Sequence, residues 1–273
     1  ETDAELVMAS DPDADRVGAA VKNNEGEWVL LNGNQTALMF VYYLITRWKE
    51  LGKINGKEYI VKTIVTTETI KTIAERNGVE MYDVYTGFKW IANVMRENEG
   101  KKNYIGGGEE SYGFLCEDFV RDKDAVSACV ILAEIAAWAK DQGLSLYQLL
   151  QKIYVEYGFS KEKGISVVKK GKSGAEEIEA MMKKFRENPL TEIAGSKVTY
   201  FYDYSTLKGK DYAENETVTL DMPTTSNVLQ YFTEDNTKVS IRPSGTEPKI
   251  KIYYTTLGKN LEEAEAEKEK LAE

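Results

Sequence analysis

Three aspartates stand at alternate positions near the start of the sequence, within the stretch ELVMASDPDADRVGAAV. Asp11, Asp13 and Asp15 are followed at once by Arg16, and apolar runs flank the turn on both sides. Carboxylates this close together repel one another strongly unless a cation lies beside them. Mg²⁺ prefers oxygen ligands and often completes its shell with a phosphate oxygen of the substrate. The spacing therefore predicts a magnesium-binding loop that meets a phosphorylated ligand.

Three other interpretations of this turn differ in their chemistry. A calcium-binding EF-hand loop needs Gly at its sixth position and Glu at its twelfth, where this sequence has Arg16 and Lys22, so that class is excluded. A phosphatase with an aspartate nucleophile stays open, because Asp11 directly follows an apolar strand and Asp13 stands two residues later. An acidic surface turn without a ligand also stays open.

A glycine-rich segment, GGGEESYG, places adjacent carboxylates and a hydroxyl on a backbone that can approach a ligand closely. Glu109 and Ser111 suit the vicinal hydroxyls of a sugar. The segment comes at the end of a predicted parallel strand, where α/β sheets place their ligands. We therefore predict a substrate-binding loop, with a flexible surface loop as the alternative.

The segment RPSGTEPK has the composition of a phosphate-binding loop. Arg242 offers a planar fork of donors, Ser244 and Thr246 offer hydroxyls, and Gly245 lets successive backbone N–H groups turn inward. A plain hairpin turn is the alternative, but a hairpin needs neither the two hydroxyls nor the two cations, Arg242 and Lys249, of this segment. The pattern favours an anion site.

Two further segments contain lysines near predicted element boundaries. TGFKWI places Lys89 just past a strand end and at the start of a helix, where it can meet a phosphate or move a proton. A solvated surface lysine is the ordinary alternative. RDKDA, residues 121–125, can supply further cations, although Asp124 is explained equally well as the N-cap of the next helix.

Composition excludes several classes of function. A net charge of −10 argues against a general nucleic-acid or anionic-membrane surface, and no apolar run reaches the length of a membrane-spanning helix. The chain has no histidine, which excludes Ser-His and Cys-His catalysis within it. Two cysteines, Cys116 and Cys129, are too few for a disulfide scaffold, so we expect both to be ordinary packed thiols. We expect the protein to be located in the reducing cytoplasm for the same reason. The absence of an initiator Met leads us to expect a fragment of a longer protein.

The elements that must position these segments alternate between strand and helix from about Val29 to Tyr157. This predicts an α/β domain with a mixed sheet, in which Asn34 caps the first long helix and Asp124 caps a later one. After Gly158 the pattern changes to strands joined by turns, with two helices. The sequence therefore predicts a second, smaller α+β domain with an antiparallel sheet.

Taken in order, SDPDADR, TGFKW, GEESYG and RPSGTEPK resemble the α-D-phosphohexomutase superfamily, the phosphoglucomutases and phosphomannomutases. The resemblance covers essentially the whole chain, which looks like only the later half of that four-domain family. By similarity, residues 1–23 end the second domain with the metal loop, residues 24–157 form the third domain, and residues 158–273 form the fourth. The family's phosphorylated serine lies in the first domain, and its serine-histidine motif is absent from a chain without histidine.

The resemblance implies a role for each motif residue. It assigns Mg²⁺ to Asp11, Asp13 and Asp15; the transferred phosphoryl group to Arg16; the sugar hydroxyls to Glu109 and Ser111; the distal phosphate to Arg242, Ser244, Gly245 and Thr246; and an acid or base function near the reacting oxygens to Lys89.

The implied reaction passes phosphoryl from phosphoserine to a hexose phosphate and returns the other phosphoryl of a 1,6-bisphosphate intermediate. GEES is more typical of enzymes that act on glucose phosphates, whereas DPDADR also resembles phosphopentomutases and glucose-1,6-bisphosphate synthases. We thus expect a fragment of a phosphoglucomutase that is inactive alone because the missing N-terminal domains hold the phosphoserine. A phosphomannomutase, a phosphopentomutase and a non-catalytic sugar-phosphate-binding module are the alternatives.

Overall fold

The computed structural model describes residues 3–169, 171–245 and 248–270 of the 273-residue chain. Its contacts divide the chain into two compact units, Glu1–Gly158 and Phe159–Glu273. The first contains strand-helix alternation around a mixed sheet, and the second is built on an antiparallel sheet. The predicted fold class is confirmed.

The first unit contains two sheets and five helices among its described residues. Its strands are β1 (Leu6–Ser10), β2 (Val17–Lys22), β3 (Trp28–Leu31), β4 (Glu58–Thr63), β5 (Glu80–Val84), β6 (Asn103–Gly108) and β7 (Phe114–Cys116). Its helices are α1 (Gly33–Glu50), α2 (Thr69–Arg76), α3 (Phe88–Asn98), α4 (Ala125–Asp141) and α5 (Leu146–Tyr157).

The mixed sheet has the strand order β5-β4-β6-β7, and the other sheet is the antiparallel meander β1-β2-β3. Strands β5 and β6 both run parallel to β4, whereas β7 turns back antiparallel to β6. The central strand β4 is buried at all six positions, which is why its middle, Tyr59, Ile60 and Val61, is apolar without alternation. Parallel pairing brings the carboxyl ends of β4, β5 and β6 to one edge of the sheet.

Two caps decide where the longer helices begin. Asn32 caps α1 through a reciprocal capping box with Gln35, so the predicted cap at Asn34 is wrong. The Asn34 side chain instead accepts the N–H of Thr67 at 2.9 Å and ties the helix to the loop after β4. Asp124 caps α4 as predicted, because its carboxylate accepts the N–H groups of Val126 and Ser127. No helix in the described ranges is long and apolar enough to span a membrane.

The second unit folds its strands into one antiparallel sheet. Its elements are β8 (Phe159–Val168), α6 (Gly171–Glu187), β9 (Glu192–Ile193), β10 (Ser196–Asp203), β11 (Lys208–Asp211), β12 (Glu216–Thr219), β13 (Leu229–Thr233), β14 (Lys238–Pro243), β15 (Lys249–Gly258) and α7 (Leu261–Lys270). The strand order is β12-β11-β10-β13-β14-β15-β8, with β9 paired to β10. Helix α6 buries Ile178 and Met182 against the apolar face of this sheet. The RPSGTEPK segment joins β14 to β15.

Candidate active site

The aspartate turn, residues 11–16, closes the hairpin between β1 and β2. The Asp11 carboxylate accepts the backbone N–H groups of Asp15 and Arg16, both at 3.1 Å, and so braces the turn from within. Ala14 adopts a left-handed φ of 56°, which costs energy for a residue with a Cβ atom. Its carbonyl accepts the N–H of Ala125 at 3.0 Å, so the start of α4 holds the turn in this strained form.

Cations of the same unit compensate two of the three aspartates. Arg16 Nη1 lies 3.3 Å from Asp11 Oδ2 and 4.0 Å from Asp15 Oδ1, and Lys123 Nζ lies 2.8 Å from Asp15 Oδ2. Burial alone raises the pKa of Asp11, but the N–H groups of Arg16 and Asp15 and the guanidinium charge lower it below its ordinary value. Asp13 is exposed at the tip of the turn. The mutual repulsion expected from the sequence is therefore relieved locally for Asp11 and Asp15.

The donor set of the turn fits Mg²⁺, a hard ion that takes carboxylate oxygens. Asp15 Oδ1 is buried and has no hydrogen-bond partner, which leaves one ligand oxygen available inside the turn. Within the described residues, however, no group of three or more His, Cys, Asp or Glu side chains is arranged to hold a metal ion. The assignment of Asp11, Asp13 and Asp15 to a metal therefore stays a prediction.

The GEESYG loop, residues 108–113, docks directly on the aspartate turn. Arg16 and Gly113 form an antiparallel bridge, and the N–H of Val17 donates to the carbonyl of Tyr112 at 3.2 Å. Tyr112 has a φ of 72°, a second strained residue beside the first. The Lys123 side chain packs against Gly113, where a Cβ atom would lie 2.5 Å from Lys123 Cδ. The two segments predicted to hold metal and sugar are thus one packed structure.

The two carboxylates of the GEESYG loop hold neighbouring strand ends. Glu109 is 6% exposed, and its Oε1 accepts the N–H of Gly87 at 2.7 Å, in the loop between β5 and α3. Glu110 Oε2 accepts the hydroxyl of Thr63 at 3.1 Å, at the end of β4. Ser111 is half-buried. Glu109 is therefore engaged inside the protein through one oxygen, and sugar binding by Glu109 and Ser111 stays a prediction.

The start of α1 approaches the same loop closely. A Cβ atom on Gly33 would lie 2.0 Å from the carbonyl oxygen of Glu110, so this position requires glycine. Two glycines of β6 are needed for a similar reason, since a Cβ atom on Gly107 would lie 2.4 Å from the carbonyl oxygen of Val61 and one on Gly108 would lie 2.5 Å from the carbonyl oxygen of Gly113. The backbone of the GEESYG loop is therefore held in place by β6 and by the start of α1.

The TGFK segment, residues 86–89, leads from β5 into α3. Gly87 precedes the helix with a φ of 113°, a conformation that favours glycine. Lys89 is exposed in the first turn of the helix, and its ammonium lies 5.0 Å from the ring centroid of Trp90. The bond from Gly87 to Glu109 brings this segment to the GEESYG loop, which the sequence indicated only through strand order.

The RPSGTEPK loop lies in the second unit and is described there by itself. Ser244 donates its N–H to the carbonyl of Lys249 at 2.8 Å, which closes the hairpin. Arg242 and Ser244 are half-buried and Gly245 is exposed, while Thr246 lies outside the described residues. The phosphate-binding roles of Arg242, Ser244, Gly245 and Thr246 stay predictions.

Sequence reasoning missed one cation at this loop and one carboxylate at the other. Lys251 is paired directly with Arg242 across β14 and β15, so two positive side chains leave the same face of the sheet side by side. The alternation in KIK after the loop was the available signal, because alternate residues share a face. Glu110 was visible only as part of an acidic pair, and its bond to Thr63 depends on the packing of distant segments.

Residues 32–157 match the family description "Phosphoglucomutase/phosphomannomutase, alpha/beta/alpha domain III". A phosphoglucomutase from Staphylococcus aureus is 38% identical over 252 residues, which is 92% of this chain and 45% of that protein. The chain thus spans about half the length of the curated relatives it matches.

Two solved structures show the same fold. The phosphoglucomutase pp63/parafusin from Paramecium, in an open form, has a TM-score of 0.63 at 18% identity and covers 98% of this chain and 44% of its own. N-acetylphosphoglucosamine mutase from Aspergillus fumigatus, in complex with GlcNAc-6P and magnesium, has a TM-score of 0.54 at 13% identity and covers 99% of this chain and 49% of its own. The resemblance to the α-D-phosphohexomutase superfamily that the four motifs predict is confirmed, with residues 32–157 corresponding to its α/β/α domain III.

Proposed function

We propose that this chain is the C-terminal part of a Mg²⁺-dependent phosphoglucomutase, which interconverts glucose 1-phosphate and glucose 6-phosphate through a phosphoserine enzyme and a 1,6-bisphosphate intermediate. The observation that carries the proposal is the direct docking of the aspartate turn on the GEESYG loop, through the bridge between Arg16 and Gly113. The 38% identity to a phosphoglucomutase supports glucose phosphates as the substrates.

The aspartate turn supplies the electrostatics for phosphoryl transfer. Arg16 and Lys123 already face the carboxylates of Asp11 and Asp15, so positive charge is held in place before a phosphate arrives. When bound by Asp11, Asp13 and Asp15, Mg²⁺ supplies further charge stabilisation at the phosphoryl oxygens. One relative of this fold was solved in complex with magnesium, which supports the choice of ion.

The other segments orient the sugar phosphate. Ser111 and the second oxygen of Glu109 are suited to sugar hydroxyls, and Lys89, at the start of α3, is suited to moving a proton on the reacting oxygen. Arg242 and Lys251 present adjacent cations for the distal phosphate, with Ser244, Gly245 and Thr246 as further donors. The domain boundaries at residues 23 and 157 and a cytoplasmic location belong to this proposal, and the free thiols Cys116 and Cys129 fit a reducing compartment.

The decisive experiment assays the full-length protein that contains this chain with glucose 1-phosphate. We expect turnover that is lost on removal of Mg²⁺ and reduced at least 100-fold by Asp13→Ala, because this substitution removes a proposed metal ligand. Asp13 is exposed and makes no hydrogen bond within the described residues, so lost structure would not explain such a reduction. Glu25→Ala, in the next acidic hairpin, is the control and should keep full turnover. Turnover that survives both the removal of Mg²⁺ and the Asp13→Ala substitution would refute the mechanism. Mannose 1-phosphate in the same assay separates the phosphomannomutase alternative.

The 273-residue chain alone should show no mutase turnover, because the phosphoserine is supplied from outside it. Turnover by the purified chain would contradict this expectation. Calorimetry of the chain with glucose 6-phosphate then tests the binding-module alternative: weak binding that Arg242→Ala abolishes favours it, and no binding at millimolar ligand counts against it.

An aspartate-nucleophile phosphatase is disfavoured by the contacts of Asp11. Both of its carboxylate oxygens accept hydrogen bonds, one from two backbone N–H groups and the other from the guanidinium of Arg16 at 3.3 Å. A carboxylate used in this way is a brace for the turn and a weak nucleophile. Phosphate release from hexose phosphates by the chain alone, abolished by Asp11→Asn, would reverse this assignment.

A further inference from the structure

Lys62 is a buried cation that none of the roles above uses. It lies near the end of the central strand β4, and its side chain is 1% exposed. Its ammonium contacts Asp83 Oδ1 at 2.6 Å and Glu68 Oε1 at 3.0 Å. Burying an ammonium is costly unless it is paired and hydrogen-bonded, so a chain keeps one inside only where its two partners compensate it. An apolar side chain would serve simple packing at this position better.

The partners of Lys62 belong to elements that carry loops of the candidate site. Asp83 is opposite Lys62 on β5, one residue before Val84 ends the strand that leads to the TGFK segment. Glu68 stands immediately before α2 and closes the loop that follows β4. On the other side of β4, Lys62 is in register with Gly108, the first residue of the GEESYG loop. The row Asp83, Lys62, Gly108 therefore crosses the sheet just before the loops begin.

Thr63, the next residue along β4, points to the opposite face of the sheet from Lys62 and contacts the GEESYG loop there. Thr63 donates to Glu110, and Glu109 accepts from Gly87, so the GEESYG loop is tied to the ends of both β4 and β5. These two bonds keep their geometry only if the ends of the two strands stay level with each other. Backbone pairing aligns the two strands as far as Val84, whose carbonyl accepts the N–H of Ile64 at 2.8 Å, and the bond between Lys62 and Asp83 adds a side-chain connection at the same place.

We propose that Lys62 is a positioning residue for phosphoryl transfer: its bonds to Asp83 and Glu68 lock the ends of β4 and β5 and thereby set the GEESYG loop and Lys89 in register with each other. The inference rests on the proposed function for its catalytic consequence. Lys62 itself does not touch the substrate. Its loss removes the cation that Asp83 and Glu68 share, so β5 and the start of α2 lose their side-chain bonds to the end of β4.

The test uses the full-length protein with Lys62→Met, which keeps the length of the side chain and removes the charge. We expect kcat with glucose 1-phosphate to fall about 10- to 100-fold while KM changes less than about threefold, since a shift of about 1 Å in a positioned group costs rate on this scale. Lys62→Arg, which retains the charge and several donors, should recover part of kcat. Lys71→Met is the matched control, because Lys71 is exposed on α2 and pairs, among the residues that the structure describes, with Glu75 alone, and it should leave kcat unchanged.

Asp83→Asn serves as the milder variant if Lys62→Met does not fold, and it should lower kcat in the same direction by a smaller factor. Hydrogen exchange on the same proteins gives a readout independent of turnover. Faster exchange confined to residues 64–69, 85–89 and 109–113 supports the inference even if the wild type proves inactive as a mutase, which would refute only the proposed function. Unchanged kcat and exchange in Lys62→Met, or a loss of kcat matched by faster exchange throughout the first unit, would overturn it.

Discussion

The GEESYG loop of the first unit and the RPSGTEPK loop of the second are built by opposite means. The former is fixed by bonds to three other segments, namely the aspartate turn, the end of β4 and the loop before α3, and by the close approach of the start of α1. The described part of the latter is a hairpin closed by the bond from Ser244 to Lys249, with the N–H of Lys169 donating to the carbonyl of Pro248. Close packing shapes one loop, whereas the other has two adjacent half-buried cations, Arg242 and Lys251.

This difference matches what each loop is proposed to recognise. Sugar hydroxyls are distinguished by the positions of donors and acceptors, so their loop needs a backbone whose geometry is set in advance. A phosphate dianion is recognised mainly by charge and by several convergent donors, and adjacent cations provide these without a rigid frame. The comparison predicts that small steric changes damage the first loop, whereas charge changes damage the second.

The largest effect should come from Gly33→Ala. Alanine favours a helix over glycine by roughly 1 kcal/mol, but its Cβ atom would lie 2.0 Å from the carbonyl oxygen of Glu110, so the loop must move. We expect a loss of about 2 to 3 kcal/mol in the free energy of unfolding and at least a 100-fold loss of kcat/KM in the full-length protein. Denaturant unfolding and the mutase assay measure the two effects.

Gly18→Ala is the matched control for that change. A Cβ atom on Gly18 would meet its nearest atom, the carbonyl oxygen of Ala9, at 3.9 Å, which is an ordinary contact. We expect stability within about 0.5 kcal/mol of the wild type and normal turnover. If both glycines tolerate alanine equally, the GEESYG loop is not fixed by packing and the comparison fails.

The next effect should come from Arg242→Ala, and it should be opposite in kind. Removing a cation that donates to phosphate costs about 1.5 to 3 kcal/mol of binding, so KM for hexose phosphate should rise roughly 10- to 100-fold. Stability should stay equal or rise by a few tenths of a kcal/mol, because Arg242 and Lys251 are like charges paired directly across two strands. Lys184→Ala, an exposed cation on α6, is the control. A clear loss of stability in Arg242→Ala would show that the arginine is structural.

Much of the fold could be predicted from the sequence, because the signals for its helices and strands are local. The apolar run of β4, the change of pattern after Gly158 and the cap at Asp124 depend on residues close to each other in the chain. The cap of α1 shows the limit of such reasoning. Asn32 and Asn34 are equally good caps by residue type. Gln35, three residues after Asn32, completes a capping box with it, whereas the contact that occupies the Asn34 side chain is with Thr67 on another segment.

The contacts that fix the candidate site could not be predicted for the same reason. In the sequence, Gly33 has the appearance of a turn residue and Lys62 that of a polar residue within a strand. The contact of Gly33 with Glu110 and the bonds of Lys62 to its carboxylate partners become visible only in the structure. Lys123 was recognised as a source of cations, but its bond to Asp15 requires the approach of α4 to the β1-β2 hairpin. Motifs identify the chemistry of each loop, whereas the relation between loops depends on tertiary packing.

A moderate effect is expected from Glu58→Gln, at the opposite end of β4. Glu58 is 1% exposed, and its carboxylate accepts the N–H groups of Asn55, Gly56 and Lys57. Burial raises the pKa of Glu58, but hydrogen bonds from the N–H of Asn55, the side-chain amide of Asn103 and the N–H of Gly56 lower it below its ordinary value of 4.5. The folded protein therefore gains stability from this carboxylate above pH 4.5 and loses it as the pH falls through the lowered pKa.

Unfolding measured in urea at several pH values checks this sign. At pH 7 the variant should be less stable by roughly 1 to 2 kcal/mol, and the difference from the wild type should shrink below about pH 4 as Glu58 becomes protonated. Glu75→Gln, the same change at an exposed carboxylate of α2, should show neither effect. A difference that stays constant with pH would mean that Glu58 is not held as a carboxylate. Normal turnover in Glu58→Gln would confirm that rigidity matters at the loop edge of the sheet and not at this end.

The smallest effect is expected from Asp124→Ala, which separates capping from catalysis in the segment RDKDA. The Asp124 carboxylate accepts the N–H groups of Val126 at 3.3 Å and Ser127 at 2.9 Å, and replacing such a cap costs about 1 kcal/mol. Asp124→Asn keeps an acceptor and should recover most of that loss. Turnover should fall less than about threefold in either variant, because the neighbouring bond that holds the strained Ala14 comes from the backbone N–H of Ala125, which alanine at position 124 leaves intact. A tenfold loss of turnover at unchanged stability would instead show that the start of α4 acts on the aspartate turn through the Asp124 carboxylate.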